Sequence, residues 1–132
     1  HPVVAVAPQV VTDGSSLVSA AIDVRHYKSV TFVILLGTLA DADATWTVTI
    51  KEGSDDTQGN HTAVADKDLI GTETDAGFDF SADGETRKIG YKGDDDYVSI
   101  EIDNGTTNSG DAPIAVLAIL EPYERPASNP PA

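Results

Sequence analysis

A chain of 132 residues with 8 Lys plus Arg against 22 Asp plus Glu, a formal charge of −14 and no cysteine has the length of one domain. Its negative field repels phosphate backbones and anionic membranes, which argues against nucleic-acid and membrane partners, and the missing thiols exclude disulfides and cysteine chemistry. The acidic residues are spread along the chain, as on a solvated surface, and no apolar run approaches the ~20 residues of a membrane-spanning helix.

The chain starts at His1 and contains no Met, so either proteolysis matures it or its start lies upstream. Residues 1–11 are apolar, carry Pro2 and Pro8, and read as an extended N-terminal arm. From there apolar and polar residues alternate with period two, the mark of half-buried strands. Val18, Ala20, Ile22 and Val24 alternate with Ser19, Ala21 and Asp23. Residues 30–36 are β-branched and apolar on both faces, which predicts a central strand covered on both sides. Residues 39–44 fit either a helical turn or a loop. The clearest alternation, residues 45–51, puts Trp46, Val48 and Ile50 inward and a row of threonines outward.

Weaker strands are predicted at 63–65, 68–70 and 78–80, followed by strands at 87–92, 97–102 and 114–120. Turn clusters rich in Gly, Asp, Asn and Ser separate them, as at Asp83-Gly84. Short strands at near-regular spacing predict an all-β single-domain β-sandwich over residues 12–121, with the jelly roll as its expected form. Residues 122–132 hold Pro122, Pro126, Pro130 and Pro131 and read as a Pro-rich C-terminal tail unable to build a core.

Few residues suggest chemistry. His1, His26 and His61 are far apart and show no ligand spacing, and Ser15 and Ser16 lack the sharp-turn context of a nucleophile. With 22 carboxylates, some pair falls within catalytic distance by chance, so a glycosidase reading has no foothold. Asn60-His61-Thr62 and Asn104-Gly105-Thr106 match the glycosylation pattern, which matters only on a eukaryotic secretory route. The acidic loops, above all Asp41-x-Asp43 and Asp94-Asp95-Asp96, place hard oxygen ligands where Ca²⁺ would take them, although none matches an EF-hand. Solvated carboxylates are the competing reading. Nothing here assembles a nucleophile, base and metal constellation, so no enzyme and no cofactor are expected.

The run Ala21-Ile22-Asp23-Val24-Arg25-His26-Tyr27-Lys28-Ser29-Val30-Thr31-Phe32-Val33 resembles the opening of a family of small head-associated proteins encoded near the capsid genes of tailed siphophages. Ala65-Asp66-Lys67-Asp68-Leu69-Ile70-Gly71-Thr72, Ile89-Gly90-Tyr91-Lys92-Gly93 and the late strand ending in Glu121-Pro122 extend the resemblance over residues 15–126. It departs from the pattern at Asp94-Asp95-Asp96, where basic residues are usual. The resemblance implies a bacteriophage virion structural protein: an acidic decoration (cement) protein on the capsid exterior, bound as a homotrimer to the major capsid protein. Val3, Val4, Val6, Val10 and Val11 of the arm, and Pro122, Tyr123 and Arg125 of the tail, are the expected interchain contacts, with terminal segments draped on the chain's own domain as the competing reading. The alternative is a head fibre or spike module that recognises glycans on a host surface, with Ca²⁺ in the Asp loops.

Overall fold

A computed structural model gives the fold, and the structure describes residues 1–12 and 14–123. The strands are β1 (Pro2–Val11), β2 (Leu17–Val18), β3 (Ile22–Asp23), β4 (Tyr27–Leu36), β5 (Thr45–Gly53) and β6 (Thr62–Ala63). After them come β7 (Leu69–Ile70), the one-turn helix α1 (Glu73–Ala76), β8 (Phe78–Asp79), β9 (Thr86–Tyr91), β10 (Tyr97–Asp103) and β11 (Ala112–Pro122). One sheet runs β1-β11-β4-β9-β7 and the other β2-β10-β5-β6, with β3 beside β10 and β8 beside β5, all antiparallel. From β4 onward successive long strands switch sheets, β4 to β5 and then β9 to β10 to β11, and the expected β-sandwich of jelly-roll type is present.

Period two builds the core. Val30, Phe32, Ile34 and Leu36 of β4 and Ile114, Val116, Ala118 and Leu120 of β11 face Trp46, Val48 and Ile50 of β5 and Val98, Ile100 and Ile102 of β10. All are buried, and Trp46 stacks on Phe78 with ring centroids 5.7 Å apart. The strands end at two rims. Residues 1, 20–26 and 92–96 lie at one, called here the His1 rim; residues 37–44, 80–85 and 104–111 lie at the other, the Gly37 rim.

Three expectations change. Residues 2–11 are extended, but as an edge strand of the domain: β1 pairs with β11 from Pro2↔Ile119 to Val11↔Ala112. Register shifts between Val4 and Val6 and between Val6 and Gln9 scramble its alternation, and an edge strand tolerates Pro8. The strand expected at 18–24 is split, and its phase flips: Leu17 and Ser19 are buried before the break, Ile22 and Val24 after it, while Val18 and Ala20 are exposed. The Ser19 hydroxyl accepts the Ile100 N–H at 3.0 Å and stands in for a backbone carbonyl at the break. Lastly, β4 is central within its sheet but covered on one face only, because nothing among the described residues packs over Val33 and Leu35; Leu35 is 44% exposed. Arg125 and the rest of the tail beyond Tyr123 lie outside the described residues.

Candidate functional site

Acidic residues are unevenly placed on this fold. Of the chain's 22 Asp and Glu, only Glu121 belongs to β1, β4, β7, β9 or β11, whereas Lys28, Arg87 and Lys88 do. Glu121 sits at the His1 rim beside Lys28, 3.9 Å away. The acids crowd instead onto the rims, the connections and the second sheet, where Glu101 pairs with Lys51 across neighbouring strands.

Side chains of the five-stranded sheet that alternate with the core therefore form an open outward face with almost no charge. The pairing register lays it out in rows: Val4 beside Leu117 beside Val33 beside Lys88, and Ile119 beside Thr31 beside Gly90. A third row joins Ala115, Leu35 and Thr86. Val4 is 63% exposed, Val10 54% and Ile119 44%, unusual for a contiguous set of large apolar side chains. Toward the Gly37 rim the face dips into a depression of about 400 Å³ between Pro8, Val10, Leu35, Gly37 and Pro113. At its far edge Ile70 lies across Gly90, whose missing Cβ lets β7 approach: a Cβ there would stand 2.9 Å from that of Ile70.

The structure separates the residues expected to make interchain contacts. Val4 and Val10 are on this face, whereas Val6 and Val11 are spent in the protein's own core and Val3 packs against it. Pro122 is half-buried at the end of β11, and Tyr123 is 65% exposed. Arg125 lies outside the described residues.

The Asp loops do not form one site. Asp41 and Asp43 are at the Gly37 rim and Asp94, Asp95 and Asp96 at the His1 rim. The Asp41 carboxylate accepts the Asp43 N–H at 2.9 Å and the Ser109 N–H and hydroxyl at 2.6 and 2.8 Å, and these donors hold it below the usual carboxylate range. It thereby ties the β4–β5 connection to the β10–β11 connection. In the other loop the Asp96 carbonyl accepts the Val24 N–H and the Asp95 N–H reaches the Tyr91 hydroxyl. Burial and the Glu52 carboxylate at 2.7 Å push that phenol well above its ordinary value. Among the described residues no three His, Asp or Glu side chains converge as a cation cage.

A serine–histidine contact does exist, and sequence spacing gave no hint of it. His61 Nδ1 stands 2.9 Å from Ser99 Oγ, and its Nε2 is 2.9 Å from the Asp55 carbonyl. A carbonyl only accepts, so Nε2 carries the hydrogen and Nδ1 accepts from the serine. Ser99 is fully buried and His61 nearly so, which leaves no room for a substrate; the pair seals the β5–β6 connection over the outside of β10.

A groove of about 610 Å³ follows β5 between β8 and β6, lined in part by Thr45, Thr47, Thr49, Glu73, Asp79 and Arg87. Trp46 is only 2% exposed and presents no aromatic platform to it. No helix among the described residues is long and apolar enough to cross a membrane.

No family model matches the chain, and no curated protein matches its sequence. Several solved structures are similar to it at low identity. A Clostridium thermocellum endo-1,4-β-D-xylanase 10B chain with CBM22-1 and GH10 modules, complexed with xylohexaose, matches with a TM-score of 0.50 and 16% identity over 92% of this chain and 23% of that one. A family 35 carbohydrate-binding module from an environmental isolate gives a TM-score of 0.48 and 15% identity over 87% and 74% of the two chains. Infectious bursal disease virus VP2 gives 0.42 and 13% over 92% and 32%. At these identities the likeness concerns the β-sandwich alone.

Proposed function

We propose that this protein is a non-catalytic docking module, a virion structural protein that decorates the capsid exterior of a tailed phage and binds its major capsid protein. The observation that carries the reading is the partition of charge: one broad sheet face is apolar and almost free of acid in a chain of −14. A broad, open apolar face of this kind suits association with another protein surface. Copies grouped as trimers would add weak individual contacts into firm attachment, with the acidic rims turned to solvent. The resemblance at residues 21–33 and 65–72 supports the virion setting.

Cryo-electron microscopy of the particle carrying this chain tests the proposal. Ordered copies at fixed stoichiometry across capsid-subunit joints are the expected result. Density confined to a vertex or tail tip, or none on the shell, overturns it.

The groove along β5, with its threonine hydroxyls and Asp79, favours a second reading, recognition of a glycan. Saturable binding on a glycan array, lost on substitution of Thr47 and Thr49, would support it. Its Ca²⁺-dependent form requires that EDTA abolish the binding.

A further inference from the structure

We infer that the outward face of the five-stranded sheet, centred on Val33, Leu35, Leu117 and Ile119, is the surface that seats on the capsid shell, and that the N-terminal segment joins it as a strand of that face and not as a free arm. The inference rests on the capsid-decoration reading and deepens it by naming the contact. Three observations lead to it.

The first is charge. Every other broad surface carries several carboxylates, so bringing one of them against a partner desolvates anions, whereas this face offers mostly apolar side chains, one cation, Lys88, and a single carboxylate, Glu121, at its His1-rim border. Lys88 makes no ion pair among the described residues. The complementary patch on the shell is accordingly apolar, with a carboxylate within reach of Lys88.

The second is area. Four long strands at ~4.8 Å spacing and about eight residues of exposed length give a face of about 500 Å². A stable pair of free proteins buries about 800 Å² on each side. The face is thus undersized for a freestanding dimer of this chain but sufficient where copies on a lattice hold one another in place. A face-to-face dimer would also hide the apolar surface and leave only acidic ones for the shell.

The third is the fate of the N-terminal segment. Val6 and Val11 are consumed in the core, and β1 is locked to β11 along its length, so the N-terminal segment is not an arm free to reach a neighbour.

The test uses the full chain, empty capsid shells of the particle that carries it, and four variants. Leu35→Glu, Ile119→Glu and Val4→Glu lie on the face, and Val18→Glu is a control on the second sheet, where Val18 is 45% exposed. Each variant is first checked by thermal unfolding; Val4, at 63% exposure, tolerates the change with least effect on folding. Expected are a loss of shell affinity of at least about tenfold for the face variants and wild-type binding for Val18→Glu. If wild type and face variants decorate shells equally, the inference fails while the decoration reading stands. If wild type never decorates shells, the decoration reading itself fails and takes the inference with it. A dimer of the free chain that the face variants dissolve would assign the face to a second copy and overturn the inference.

Discussion

The carboxylate of Glu73 accepts the backbone N–H of Ile50 at 2.8 Å and so closes part of an exposed sheet edge. On that edge β5 is paired by β8 only at Thr45 and Trp46 and by β6 only at Lys51 and Glu52. The short helix α1 fills the gap with a side chain where a strand would supply a carbonyl, and the Thr72 hydroxyl fixes its start by accepting the Asp75 N–H. Glu73→Ala should lower unfolding free energy by roughly 1–2 kcal/mol, because a partly buried donor loses its acceptor. Glu73→Gln, which keeps an acceptor oxygen, should recover most of the loss. Urea denaturation of the three proteins measures both.

Ser99 and His61 form a buried hydrogen bond, whereas Ser16 and Asp103 make one in solvent. Ser99→Ala should cost roughly 1–2 kcal/mol and Ser16→Ala less than about 0.5. Equal effects in urea denaturation would show that the His61 contact gives the β5–β6 connection no special hold.

Hydrogen bonds and charge hold several carboxyls below their ordinary value. Arg25 brings Asp23 down to about 2, and Asp41, Asp55, Asp79 and Asp103 are lowered by local donors. A depressed folded-state pKa stabilises the fold above the unfolded value, near 3.9, and the contribution is lost as pH falls through the folded value. Mutual repulsion in a chain of −14 acts the other way, easing as carboxylates begin to protonate. The melting temperature should therefore peak at about pH 4–5 and fall below about pH 3.5, and at pH 7 it should rise with added NaCl. Melts across pH at two salt concentrations check each limb.

Gly90→Ala should push β7 away from β9, since the new Cβ would lie 2.9 Å from the Ile70 Cβ and backbone must yield. Faster hydrogen exchange at Leu69 and Ile70, with protection in β10 unchanged, is the expected signature. Unchanged exchange at Ile70 would mean that the close approach does not hold β7.

Much of the fold was legible because burial on one face writes itself as period two. Trp46, Val48 and Ile50 point inward as their spacing requires, as do Val98, Ile100 and Ile102. The failures have physical causes. Ser19 is a polar residue at a buried position, and its hydroxyl bond to β10 breaks the alternation that marks a strand. In β1 the register shifts hide the pattern, so a sheet strand reads as an arm. Around Val33 and Leu35, apolar residues on both faces suggest a covered strand, and hydrophobicity cannot distinguish a face covered by the same chain from one awaiting another. A different signal was present in the sequence: the strands of that sheet avoid Asp and Glu in a chain that uses them everywhere else. The His61–Ser99 contact joins residues 38 apart, and no spacing rule anticipates it.

The side-by-side, antiparallel course of β1 and β11 also decides how the molecule answers to force. Pro2 lies opposite Ile119, so tension applied between residues 1 and 122 would pull on the same end of one ladder. Hydrogen bonds loaded in that geometry open one rung at a time, as a zipper does, instead of resisting together as they do in shear. A pull of this kind would thus load the β1–β11 ladder one pair at a time and peel β1 from the sheet before β4 or β9 is disturbed.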